Sequence, residues 1–145
     1  MFKSDFAAQE RFVDDLYNFL DNGHKLILIY PIPQMDVHTS NILTKKIRRD
    51  KKNLDNLLKD KNNFIHIDYN QFKNDSYFIL KILDKVNHPN VFKLNVEDVF
   101  CNSIIDKKCV ANDEQNLFLI DNNHLSNFSA NIISQKLHKI ISNIN

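Results

Sequence analysis

Glycine is all but missing from this chain, with Gly23 the single example in 145 residues. A compact domain normally uses several glycines at tight turns and close backbone approaches, so some device that usually needs them is not here. A dominant charge is missing too. Lys and Arg number 19 against 18 Asp and Glu, which excludes a global field drawing the chain to nucleic acid or to an anionic membrane surface. No apolar run approaches the roughly 20 residues that span a bilayer, so no intrinsic membrane segment is expected. The opening "MFKSDFAAQERF" lacks the apolar heart and small-residue cleavage site of a signal peptide. As an isolated product the chain is expected to stay in the cytoplasm. Neither an internal repeat nor a low-complexity linker divides it, and its length suits one domain, 1–145, with a real core.

Short apolar runs alternating with helical spacings are what the chain does contain. "DFAAQERFVDDLYNFLDNG" places Phe6, Phe12, Val13, Leu16, Tyr17 and Leu20 on one helical face, with Gly23 as its stop. "KLILIY", ending at "PIP", reads as a strand covered on both faces. The charged stretch at residues 45–61 lies in a surface helix, broken or continuous, whose apolar positions include Leu43, Leu54, Leu57 and Leu58. A solvated face explains its lysines better than nucleic-acid binding does. "NFIHIDYNQF" is either a short strand or a connection. "SYFILKILDKVNHPN" predicts a helix turning Ile79, Leu80, Ile82, Leu83 and Val86 inward and stopped by Pro89. "VFKLNV" and "LFLI" read as strands, and residues from Leu125 to the end form a last helix capped by Ser126. The pattern is that of an α/β domain with a parallel sheet.

Asp121 and His124 follow "LFLI" and precede the last helix, the position where loops of an open parallel sheet converge on ligands. A neutral imidazole, ordinarily with a pKa near 6.5, takes a proton from a hydroxyl when a carboxylate holds its other nitrogen as donor. Asp121 can do this if the intervening "NN" turns tightly. The competing reading is a polar turn in which Asp and Asn side chains satisfy nearby backbone groups, and spacing alone favours it. His24, His38, His66, His88 and His138 show neither a metal spacing nor a carboxylate-partnered motif.

The stretch "DVFCNSIIDKKCVANDEQNLFLIDNNHLSNFSANII" resembles the C-terminal end of the SGNH domains fused to membrane acyltransferases of the acyltransferase-3 type. That family moves O-acyl groups onto cell-envelope polysaccharides. The Cys pair, the apolar segment, Asp-x-x-His-Leu-Ser and a last helix recur in order, and "DLYNFLDNGHKLILIYPIPQ" is similar to the family's helix, turn, strand and "P-x-P" exit. The resemblance implies a catalytic base at His124, oriented by Asp121, and no cofactor or metal. It implies a carbohydrate or acyl-ester substrate, an upstream membrane acyltransferase half as partner, and a site at the periplasmic or outer face of the cytoplasmic membrane.

The chain departs from the family at its start. No Gly-Asp-Ser block supplies a nucleophile, the Gly and Asn blocks of the oxyanion hole are missing, and Ser129 stands where the family often has Gly. The expected fold is therefore a partial three-layer α/β/α SGNH-hydrolase-like (flavodoxin-like) domain, lacking its N-terminal strands and inactive alone. Ser40, Ser103 and Ser126 have no nucleophile-like setting. Cys101 and Cys109 enclose "NSIIDKK"; their spacing admits a disulfide or two free thiols, and a zinc site would lack ligands. The resemblance favours the bridge. A non-catalytic carbohydrate- or partner-binding module and an unrelated α/β interaction domain are the alternative functions.

Overall fold

The computed structural model describes residues 6–144, with side chains from residue 10 onward. Helix α1 (Phe6–Asp21) buries Leu20 and half-buries Val13, Leu16 and Tyr17, whereas Phe12 faces solvent. The side chain of Phe6, expected on the same face, lies outside the described residues. The chain turns out of α1 at Gly23, whose φ of 86° belongs to the left-handed region and whose amide bonds the Leu20 carbonyl at 2.9 Å. Here the lone glycine has a geometric reason.

Strand β1 (Leu26–Ile29) runs parallel to β3 (Val91–Leu94), in register from Leu26↔Val91 to Ile29↔Leu94. Between them come α2 (Thr39–Asp50), α3 (Leu54–Leu58), β2 (His66–Asp68), α4 (Tyr69–Asp75) and α5 (Tyr77–Lys85). After β3 follow α6 (Glu97–Phe100), β4 (Lys108–Val110) and α7 (Asn127–Ile144). Leu20 of α1 and Leu83 of α5, with Val86, pack on Leu28 of β1, while α7 lies against β3. This is the expected mixed α/β arrangement, a short parallel sheet among helices.

Several finer expectations change in three dimensions. The charged stretch does break, at Lys51 in a left-handed conformation (φ 52°), and Asn53 then caps α3 by accepting from the Asn56 amide at 2.9 Å. Yet it is no mere surface cover, since Leu43, Leu57 and Leu58 enter the larger core with Ile67, Phe72 and Phe100. "NFIHIDYNQF" splits into β2, antiparallel to β4, and the start of α4. β1 is not covered on both faces: alternation turns Ile27 and Ile29 away from Leu28, and Ile29 is 49 % exposed. On α5, Ile82 and Leu83 are buried while Ile79 lies outside. Both parallel strands keep one edge without a ladder partner among the described residues, the kind of edge that invites association.

"LFLI" does not join the parallel sheet. Leu117 pairs singly with Asn112, and Leu119 with Leu125, in isolated antiparallel bridges. The Phe118 and Leu119 amides both donate to the Ala111 carbonyl, at 2.7 and 3.1 Å. The run is apolar because Phe118 and Leu119 are buried; the Phe118, Leu119 and Ile120 amides donate to carbonyls close in sequence, so the chain doubles back on itself.

A disulfide joins Cys101, just past α6, to Cys109 in β4, and both residues are buried. The enclosed turn is set by Asn102, whose Oδ1 accepts from the Lys107 amide at 2.9 Å. Cross-linking residues that stand 8 apart in sequence removes unfolded-chain entropy worth about 2.5 kcal/mol. Reduction, or the Cys101→Ala, Cys109→Ala double variant, should lower the urea-derived unfolding free energy by about that amount. A change below about 1 kcal/mol would mean that the bridge constrains nothing.

Candidate active site

Asp121 and His124 sit on the loop between the doubled-back segment and α7. The two Asn residues between them do turn tightly. One carboxylate oxygen of Asp121, Oδ1, accepts from the Asn123 amide at 2.9 Å and from the His124 amide at 2.7 Å. The other, Oδ2, lies 2.7 Å from His124 Nδ1. The polar turn and the oriented imidazole are thus the same structure, each served by its own oxygen.

Bonds from the Asn123 and His124 amides hold the Asp121 carboxyl well below the usual carboxylate range, at about 2. Ionised, it only accepts hydrogen bonds. His124 Nδ1 must then carry the proton, which leaves Nε2 of the neutral ring with a free lone pair. The imidazole is 72 % exposed and the Asp121 side chain 20 %, so the basic nitrogen stands at an open surface while its orienting oxygen is sheltered.

A carboxyl whose folded pKa is depressed stabilises the fold fully above its unfolded pKa, and loses that contribution as pH falls through the folded one. For Asp121 the window runs from 3.8 down to about 2. The carboxyl carbon of Asp121, followed by NMR, should titrate with a midpoint near 2, and a midpoint at the ordinary 3.8 would remove the turn from solution.

Ser126, expected as a helix cap, is one: its Oγ accepts from the Ser129 amide at 3.3 Å and donates to the Leu117 carbonyl. Ser129 is fully buried and donates to the Phe118 carbonyl at 2.5 Å, seating the first turn of α7 on the doubled-back segment. Ser40 Oγ lies 3.2 Å from His38 Nδ1, a local contact at the start of α2. Ser103 borders a cavity of about 410 Å³ with Ile104, Asp113, Glu114 and Gln115.

Two further imidazoles have structural settings. His88 Nε2 approaches Asp21 Oδ1 at 3.7 Å, a carboxylate partner its sequence neighbours do not reveal, and His24 stacks on Phe19 with centroids 4.0 Å apart. Asp68 pairs with Lys108 across the β2 and β4 pair, at 2.7 Å. Among the described residues no group of three or more His, Cys, Asp or Glu is placed to hold a metal ion, and no helix is long and apolar enough to cross a membrane.

Two features of the site have no sequence signal. A cavity of about 340 Å³ opens beside the loop, lined by Gln34, Met35, Asp36, Asp75 and Asn122. Residues 35–40 also bond the loop directly, including Thr39 Oγ1 to the Asp121 carbonyl at 2.7 Å across 82 positions of sequence. No local spacing marks such a contact.

A family model described as the SGNH domain fused to AT3 domains matches residues 2–139. No curated protein and no solved structure matches the chain.

Proposed function

The chain belongs to the family of SGNH domains fused to AT3 domains, a hydrolase- and acyltransferase-type module, and from that premise we propose that it is the base-bearing part of an O-acyltransferase or esterase acting on cell-envelope polysaccharide. The supporting observation is the 2.7 Å contact between His124 Nδ1 and Asp121 Oδ2, with no hydrogen-bond partner on Nε2 among the described residues. In this reading Nε2 takes the proton of a serine hydroxyl as its oxygen attacks the ester carbonyl, and Asp121 stabilises the imidazolium that forms. Collapse of the tetrahedral adduct breaks the ester C–O bond, and the imidazolium returns its proton to the departing alkoxide. The acyl group then passes from serine to a sugar hydroxyl, or to water, with His124 again as base.

The 145 residues contain no Gly-Asp-Ser block; serine and oxyanion donors are contributed by polypeptide outside them, with the membrane acyltransferase half as partner. A buried disulfide suits an oxidising compartment, and the proposed location is the periplasmic or outer face of the cytoplasmic membrane. Loss of even one oxyanion donor typically costs about 10² to 10³ in rate. The pure chain should therefore turn over an aryl acetate no faster than buffer does. Adding the nucleophile-bearing half should produce turnover that needs His124. Robust turnover by the pure chain, or restored turnover indifferent to His124, would defeat the reading.

The polar cavity beside the loop favours a second reading, a module that binds carbohydrate without chemistry. Glycan binding by the pure chain with no turnover in any complemented form would select it.

A further inference from the structure

The loop that carries the proposed base is held by residues distant in sequence. Three successive carbonyls, those of Ile120, Asp121 and Asn122, accept from residues 35–40: Ser40 N at 3.1 Å, Thr39 Oγ1 at 2.7 Å and Met35 N at 2.7 Å. The loop is closed on itself by the Ile120 amide, which donates to the His124 carbonyl at 2.9 Å. Only the central bond comes from a side chain, and Thr39 is 0 % exposed.

An imidazole 72 % exposed has little packing to set its rotamer, so its direction comes from Asp121. Asp121 in turn belongs to a polar loop whose neighbours, Asn122, Asn123 and His124, offer no apolar anchor. Its carboxylate is pinned by the turn, and its own carbonyl by Thr39. Thr39 is the first residue of α2, one past the cap position held by His38, and its hydroxyl donates away from the helix to the Asp121 carbonyl.

We infer that Thr39 is a positioning residue: by fixing the Asp121 carbonyl from α2 it sets the plane of the carboxylate that orients His124. Its importance for rate rests on the reading of His124 as a base, whereas its effect on the imidazole does not. A misplacement of about 1 Å at a catalytic group can cost on the order of 10²-fold in rate.

The test uses the 145-residue chain and two variants. Thr39→Val keeps the shape and removes the donor; Thr39→Ser restores it. Ring-nitrogen NMR should show His124 as the Nδ1–H tautomer in the unsubstituted chain and in Thr39→Ser. In Thr39→Val it should shift toward the Nε2–H tautomer usual for free histidine, while the β2 and β4 amides keep their positions. Persistence of the Nδ1–H tautomer in Thr39→Val would overturn the assignment. Should that variant fail to fold, hydrogen exchange on the unsubstituted chain decides: the Met35, Ser40 and Ile120 amides should open together, and Met35 and Ser40 exchanging about tenfold faster than Ile120 would show no clamp. In the complemented protein Thr39→Val should lower kcat about 10- to 100-fold with KM within about twofold. Turnover that survives His124→Ala removes the base reading and leaves the tautomer result standing. An unmoved tautomer removes Thr39 and leaves the base intact.

Discussion

Replacing His124 by Ala, in the chain supplied with its nucleophile-bearing half, is expected to lower kcat about 10²- to 10⁴-fold. KM should change little, because an interaction made only as the proton moves acts on the transition state and not on substrate binding. Stability should be unchanged within about 0.5 kcal/mol, since an exposed side chain is removed. The partner variant separates turn from chemistry. Asp121→Asn keeps a side-chain oxygen able to accept from the Asn123 and His124 amides, the two bonds that Oδ1 now makes. It replaces the oxygen facing Nδ1 by an NH₂ group, which forces the proton onto Nε2 and abolishes the base. Asp121→Asn should thus approach His124→Ala in rate with its melting point nearly kept, whereas Asp121→Ala should lose the turn as well. Equal rates for Asp121→Asn and the unsubstituted protein would reduce Asp121 to a turn residue.

The largest effect on stability is expected at Phe100. It ends α6, is 0 % exposed, and meets Phe118 edge to face at 6.1 Å between centroids. Phe118 meets Phe128 in turn at 5.5 Å. This run of rings joins the disulfide-bearing core to the doubled-back segment and the first turn of α7, which frame the Asp121 loop. Phe100→Ala leaves a cavity where no solvent reaches and should cost about 3 to 5 kcal/mol. That is comparable to the whole stability of a marginal domain, about 5 to 15 kcal/mol. Phe100→Leu, which keeps much of the volume, should cost less and leave a measurable urea transition. Phe12→Ala, at an exposed ring of α1, should change stability within about 0.5 kcal/mol. A loss below about 1 kcal/mol for Phe100→Ala would mean that the core does not close around this ring.

Helices α1, α5 and α7 and the strands β1 and β3 were legible because their apolar spacing repeats every turn or every second residue. The inward face was legible only as a direction. Ile29 and Ile79 carry the same signal as Leu28 and Ile82 and end exposed, because periodicity marks the face a segment would bury without saying whether anything covers it. "LFLI" was misread as a sheet strand for a related reason. Burial and sheet pairing ask for the same apolar residues, and the choice between them was made by Asn112, Ala111 and Leu125, which bond the segment locally.

The Asp-x-x-His spacing with two Asn residues inside it determined, by itself, that a polar turn or an oriented imidazole could form there, since all the bonds concerned span three positions or fewer; that one carboxylate serves both came from the structure. The cysteine spacing admitted a bridge or two free thiols, and the fold closes the bridge by bringing β4 back beside the end of α6. Tertiary structure alone decided how that turn is aimed. The donors that grip its carbonyls come from residues 35–40, 80 or more positions away, and are delivered by the packing of Met35 and of α2 into the core. A hydrogen bond formed by folding leaves no periodic trace in the chain that makes it.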